Sequence, residues 1–303
     1  MAVIEARGLG KSYGSTRAVD GLDFVVQPGS VTGFLGPNGA GKSTTMRLML
    51  GLDQGEGRTL FDGKTFQELK HPMRHVGALL EAKPFHPTRR ARDHLRMLAA
   101  GTGVPTSRVD EVISLVGLES VARGRPRKFS MGMGQRLGIA AALLGDPHTL
   151  VLDEPSNGLD PEGINWLRRL LKHLAGEGRS VFVSSHLLQE MAVLADHLVV
   201  IGRGRLVANG PVSEFVSASG LSSVELRTPD LATLRPVLEE RGATITEAGD
   251  TVSVLGLDAE AIGDAAHEVG ARLHQLVTRQ ATLEEAFLSA TGRDEEFRGG
   301  DAG

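Results

Sequence analysis

Cysteine is absent from the 303 residues, which excludes disulfides and thiolate metal sites and agrees with a reducing compartment. Aromatic side chains are scarce at 4%, with a single tyrosine, Tyr13, and a single tryptophan, Trp166. Neither sign of charge dominates. A formal net charge of −4 gives no general reason to expect a nucleic-acid partner. No apolar run approaches the roughly 18–20 residues needed to cross a bilayer. The longest, Leu137 to Leu144, stops at Gly145-Asp146-Pro147. The start, Met1 to Arg7, lacks the basic flank and apolar core of a signal peptide. A role in a membrane process would therefore need another chain to supply the membrane part.

What remains is an ordinary globular composition, 41% hydrophobic and 23% charged, at a length that suits two domains. One stretch organises it: Gly36, Pro37, Asn38, Gly39, Ala40, Gly41, Lys42, Ser43 and Thr44 fit G-x-x-x-x-G-K-[ST]. The run Val31 to Leu35 before it reads as a buried strand, and Lys42 to Leu50 after it as a helix. Glycines let successive backbone N–H groups face a phosphate chain, and the helix dipole points the same way. In such a loop Lys42 reaches the β- and γ-phosphates and Ser43 ligates Mg²⁺.

Strands are expected at Val3 to Leu9 and Gly21 to Val26, with Tyr13 in the loop between them, then at 59–63 and 76–80, the last ending at Glu81. From Thr88 to Gly145 the spacing turns helical, with stripes at Leu95, Leu98 and Ala99 and at Val109, Val112, Ile113 and Val116. Buried strands follow at 149–152 and 180–184, around a helix opened by Pro161 with Ile164, Leu167, Leu170, Leu171 and Leu174 inward. This alternation predicts a mostly parallel sheet covered on both faces, with a helical subdomain inserted at about 82–146. A hairpin at 198–210 closes the first domain, placed at 1–215, and the Gly- and Ser-containing stretch 210–223 marks a boundary. Residues 222–292 read as a second, α+β domain. Its βαββαβ order resembles a ferredoxin-like fold with an extra helix. The polar tail 293–303 reads as disordered.

Asp153-Glu154, at the end of the apolar strand 149–152, is the second chemical signal. An Asp there can hold Mg²⁺ beside the phosphates, and Glu154 can orient or deprotonate an attacking water. Other features read more plainly. Of ten histidines only His186 sits in a motif; His71, His75, His94, His173 and His197 read as surface or partly buried. Arg123, Arg125, Arg127 and Lys128 read as a solvated loop, and Trp166 lies off the apolar stripe of its helix.

With these residues in view, 1–210 resembles the ATP-binding subunit of ABC transporters. That family's motifs appear in order: an adenine-stacking aromatic at Tyr13, Walker A at Gly36 to Thr44, Walker B at Leu150 to Glu154. The signature segment is Phe129 to Arg136, the D-loop Ser156 to Asp160, and the switch histidine His186. The signature keeps Ser130 and Gly132 but has methionines at 131 and 133, where Gly and Gln are usual. Glu81 stands where the family has Gln. With Gly77 to Leu80 and Pro84-Phe85, it is similar to the subgroup exporting peptide antibiotics such as bacitracin and lantibiotics. Both a Mg²⁺ ligand and an exposed strand-end residue fit Glu81.

The resemblance implies a P-loop NTPase of ABC type that hydrolyses ATP with Mg²⁺. Glu154, His186 and Lys42 would be catalytic, and Ser43, Asp153 and Glu81 would face the metal. Tyr13, residues 36–44, Glu81, Ser130, Gly132 and Asp160 would contact nucleotide. It further implies a dimer, most simply of two identical copies, in which Ser130 of one copy meets the nucleotide on Lys42 of the other. A separately encoded transmembrane permease would hold the subunit at the cytoplasmic face of the cell membrane, exporting a drug, antibiotic or peptide. Residues 282–288 resemble a tail of exporter ATPases that packs against or regulates the dimer. A ribosome- or DNA-acting switch of the same class fits less well, because one phosphate loop and no long heptad run are present. A non-hydrolysing subunit is opposed by Glu154 and His186.

Overall fold

The computed structural model describes residues 3–81 and 85–291; Pro84 and the 293–303 tail lie outside them. The chain divides into two compact units, Met1–Gly210 and Pro211–Gly303.

The first unit begins with a hairpin, β1 (Ile4–Tyr13) and β2 (Thr16–Val26). Both strands run further than the sequence pattern suggests, so Tyr13 sits at a strand end, paired with Thr16, rather than in a loop. Register shifts between Ala6 and Ser12 explain the difference: each one breaks the period-two alternation by which a strand is recognised. Then come β3 (Val31–Leu35), α1 (Lys42–Met49), β4 (Glu56–Phe61) and β5 (Val76–Leu79). Strand β4 pairs antiparallel with β1, completing a three-stranded sheet of order β2-β1-β4.

The inserted helices are α2 (Ala91–Thr102), α3 (Ser107–Leu115) and α4 (Met131–Leu143). Leu95, Ala99, Val109, Val112, Ile113 and Val116 are buried, as their spacing requires. His94 corrects the sequence reading: it is buried, with 4% exposure, because it shares the α2 face of Ala91 and Leu95. Neither ring nitrogen has a hydrogen-bond partner, and burial, then the charge of Arg89, lowers its pKa.

After α4 the chain forms β6 (Thr149–Leu152), α5 (Pro161–Gly176), β7 (Ser180–Ser184), α6 (Leu188–Leu194), β8 (His197–Gly202) and β9 (Arg205–Pro211). The second sheet has the order β5-β6-β7-β3-β8-β9, and β5, β6, β7, β3 and β8 pair in parallel. Every residue of β3, β6 and β7 is buried, which is why they read as continuous apolar runs rather than alternating ones. Phe24 of β2 stacks with Phe182 of β7 at 5.5 Å, and Phe182 with Phe34 of β3 at 5.0 Å, tying the two sheets together. The carboxyl ends of adjacent β3, β7 and β6 thus lie side by side, where an open parallel sheet holds its ligand. Trp166, half-buried on α5, lies under the Arg136 guanidinium of α4, 4.3 Å from ring to Cζ.

The second unit opens with α7 (Val212–Ala218), inside the stretch that reads as a boundary. It continues as β10 (Ser223–Arg227), α8 (Leu231–Glu240), β11 (Thr244–Ala248), β12 (Thr251–Leu255), α9 (Ala259–Val269), β13 (Gln275–Arg279) and α10 (Leu283–Thr291). The sheet order is β11-β12-β10-β13, with every pairing antiparallel. Val224, Leu226, Val252 and Val254 share one sheet face and a core with Leu234 and Leu238 of α8 and Ile262 and Ala265 of α9. Among the described residues, no helix is long and apolar enough to cross a membrane.

Candidate functional site

The loop after β3 is shaped by close backbone approaches. A Cβ at Gly36 would come 2.6 Å from the Ile201 carbonyl oxygen, and one at Gly41 2.4 Å from that of Ala18. Gly41 also has φ 103°, a left-handed conformation that side chains disfavour. It caps α1 without a side-chain acceptor, so the first N–H groups of that helix are left for an anion. Lys42 folds back over its own loop, its Nζ donating to Gly36 O at 2.6 Å and Pro37 O at 3.3 Å. It is buried, and desolvation lowers its pKa against the opposing charges of Glu154 and Asp153. An ammonium short of solvent and satisfied only by carbonyls is ready to exchange them for phosphate oxygens.

Opposite stands the end of β6. Asp153 N–H donates to Leu79 O of β5 at 2.7 Å, which fixes the backbone as it leaves the sheet. The Ser184 hydroxyl, at the end of β7, donates to Asp153 Oδ1 at 2.5 Å and accepts from Glu154 N–H at 2.9 Å. Ser184 itself is fully buried. Glu154 adopts φ 48°, an uncommon conformation for a residue with a Cβ and a strained one that its surroundings must hold. The Gln135 side-chain amide donates to its carbonyl at 3.3 Å. On the side-chain end, His186 Nδ1 lies 2.7 Å from Glu154 Oε2.

Between these walls is a cleft of about 430 Å³. Asn38, Gly39, Gly41, Lys42, Ser43 and Thr44 line one side, Asp153, Glu154, Asn157 and His186 the other, with Ala18 of β2 at its edge. Gly36, Pro37 and Ala40 complete the loop without lining it. Among the described residues, no group of three or more His, Cys, Asp or Glu could hold a metal by itself. Ser43 and Asp153 suit Mg²⁺, which is held by few protein oxygens and completes its shell with phosphates and water.

The other expected residues lie outside that cleft. Tyr13 is 51% exposed, its hydroxyl donating to Asp53 at 3.1 Å. Glu81 is exposed just beyond β5, close enough to Arg47 to raise that residue's pKa as a minor contributor behind Asp53. Ser130 is exposed at the N-cap of α4, accepting from Met133 N–H at 3.2 Å, with Gly132 in the first turn. Asp160 caps α5, its Oδ1 accepting from Gly163 N–H at 2.8 Å. Gln135 and Asn157 fall inside the expected signature segment and D-loop without a role of their own; Ser184 only precedes the switch histidine, and Ala18 is in no motif. For Ser184 the signal was a hydroxyl ending an otherwise apolar strand; Ala18 offered none.

A family described as "ABC transporter" matches residues 19–157, and a domain of unknown function matches 222–284. The bacitracin transport ATP-binding protein BcrA of Bacillus licheniformis is 42% identical over 69% of this chain and 70% of its own. The Nod factor export ATP-binding protein I of Cupriavidus metallidurans is 33% identical over 97% of this chain and 98% of its own. Among solved structures, an ATP-binding subunit of an ABC transporter superposes with a TM-score of 0.66 at 26% identity, covering 72% of this chain and 94% of that one. A dimeric ATP-binding cassette in a post-hydrolysis state with ADP and Pi shares the fold, with a TM-score of 0.63 at 23% identity over 69% of this chain and 98% of that one.

Proposed function

The chain belongs to the ATP-binding proteins of ABC transporters, and from that premise we propose how its residues act and what it assembles with. It is an ATPase, and its nucleotide is ATP with Mg²⁺. Lys42 and the N–H groups at the start of α1 bind the phosphates; Ser43 and Asp153 would hold Mg²⁺, and Glu81 would supply a further oxygen. Bound Mg²⁺ would offset charge on the β- and γ-phosphates. Glu154 takes a proton from the attacking water, and His186, hydrogen-bonded to it, keeps that carboxylate aimed. Tyr13 stacks on adenine.

Two copies share each site. Ser130 and Gly132 of one copy complete the nucleotide site of the other, with Asp160 and its loop at the junction. The observation that carries this reading is that exposed Ser130 does not line the cleft of its own copy. Complementation tests it. Lys42→Ala and Ser130→Arg chains, each inactive alone, regain ATP turnover when mixed, because a mixed dimer keeps one intact site. A mixture no more active than its separate components would overturn the shared site.

The ATPase domain is taken as 1–215, its helical subdomain at about 82–146 carrying the contact to a separately encoded permease at the cytoplasmic face of the membrane. Residues 222–292 form a ferredoxin-like domain, a reading supported by the antiparallel order β11-β12-β10-β13, and they regulate or brace the dimer. Similarity to a bacitracin transport protein supports a drug, antibiotic or peptide as cargo, and similarity to a Nod factor export protein supports its export. A resistance assay with the permease co-expressed tests the cargo; unchanged sensitivity to peptide antibiotics argues for another one.

A further inference from the structure

Outside the cleft, the start of α4 rests on the loop that follows Glu154 in the same copy. A Cβ at Gly158 would come 2.2 Å from both Cγ and Sδ of Met131, so the Met131 side chain lies directly against that glycine. Gly158 has φ 76°. One residue on, a Cβ at Gly132 would sit 3.2 Å from Gly158 O. The loop is tightly wound: Asn157 N–H donates to Glu154 O at 3.1 Å, and Leu159 N–H to Ser156 O at 3.1 Å. A shift at Gly158 therefore passes to Asn157 and Glu154, two residues that line the cleft.

Met131 is also chemically distinctive here. The chain has no cysteine and eight methionines, so thioethers are its only oxidisable sulfur. Met46, Met49 and Met191 are buried, and the sulfur of Met97 faces the Arg89 guanidinium at 2.7 Å. Met131 is 62% exposed, the highest value among the described large apolar side chains. The residue as a whole is largely exposed, and its sulfur lies against Gly158.

We propose that Met131 is a positioning residue that clamps the Ser156–Asp160 loop, and that it is the site at which a hydroperoxide inactivates the ATPase. The inference rests on the ATPase reading above. In the modification, the thioether sulfur attacks one peroxide oxygen; an S–O bond forms and the O–O bond breaks. Sulfur is oxidised by two electrons to the sulfoxide, and hydrogen peroxide is reduced to water. The sulfoxide is bulkier and polar, and it sits where apolar contact with a glycine held the loop.

The test uses the full chain, measuring kcat and KM for ATP and the melting temperature before and after hydrogen peroxide. Peroxide lowers wild-type kcat about tenfold with KM changed less than about twofold, as expected for a displaced positioning contact. Met131→Leu keeps the apolar contact without the sulfur. Whatever its own rate before treatment, this variant retains that rate after peroxide. Met131→Gly is slow without any oxidant. Equal peroxide sensitivity in wild type and Met131→Leu, or full turnover by Met131→Gly, would overturn the proposal. If Met131→Gly melts early, the Leu comparison decides alone. Untreated wild type that binds ATP but never turns it over would instead count against the ATPase reading.

Discussion

His186 Nδ1 lies 2.7 Å from Oε2 of Glu154, a residue whose own backbone is held at φ 48°. The strain and the hydrogen bond act on the same side chain from opposite ends. Ser184 and Gln135 fix the backbone, and His186 fixes the carboxylate. Such over-determination is expected where a group must point at a reacting water rather than pack comfortably.

Glu154→Gln keeps the shape and loses the proton acceptor. Turnover should fall by about 10²–10⁴-fold, the range for loss of general-base catalysis. ATP binding should persist, because Lys42 and the α1 N-terminus are untouched. Nucleotide-binding and phosphate-release assays on the same preparation check both halves. A variant that still hydrolyses at the wild-type rate removes Glu154 from this role.

Ser184→Ala removes a buried hydroxyl that serves both members of the acidic pair. The Glu154 N–H loses its acceptor and Asp153 loses a donor. Leaving a buried group unpaired costs about 1–3 kcal/mol, so the unfolding midpoint should drop along with turnover. Denaturant titration gives the first quantity and an ATPase assay the second. Wild-type values in both would show that water replaces the hydroxyl.

Most of the cleft was legible in the sequence because its residues are consecutive. Gly36 to Thr44 and Asp153-Glu154 each follow a buried apolar strand, and a strand end fixes direction. Contacts brought in from elsewhere were not legible. Ala18 reaches the cleft only because Gly41 has no Cβ, and Gln135 reaches Glu154 across nineteen positions of sequence. The β1–β2 hairpin was under-read for a different reason. Its register shifts erase the alternation, so the local pattern said loop where β1 and β2 pair with each other. In the second unit, strand β13 falls at Gln275–Arg279 although the apolar run suggested 273–277. The pairing of β13 with β10 decides the register, and no window of sequence contains both strands.

Arg272 ties Asp230 at the start of α8 to the segment before β13, through its backbone N–H at 3.0 Å and its guanidinium at 2.9 Å. These bonds hold the Asp230 carboxyl well below the usual carboxylate range. A depressed carboxylate contributes stability above its unfolded pKa of about 3.9, and loses it as pH falls toward the folded value. Arg272→Ala should therefore lower hydrogen-exchange protection in β10 and α8 at pH 7, with the gap to wild type closing below about pH 4. A gap that stays constant on acidification would mean that the guanidinium acts by packing rather than by charge.

His94 offers the opposite case, a base kept neutral. Its ring is buried without a hydrogen-bond partner, beside Phe85 at 6.3 Å between centroids, and burial lowers its pKa. The folded state then binds fewer protons at this position than the unfolded chain does. Stability should be full above the ordinary histidine pKa of about 6.5 and should decline as pH falls through it. His94→Leu fits the apolar face of α2 and cannot be protonated. Its melting temperature should decline less than that of wild type between about pH 7.5 and pH 5, the difference growing by roughly 2–4 °C for each kcal/mol involved. Every other residue is common to both proteins, so the difference isolates this ring. Parallel melting curves across that window would mean that the imidazole finds a proton acceptor or water on acidification.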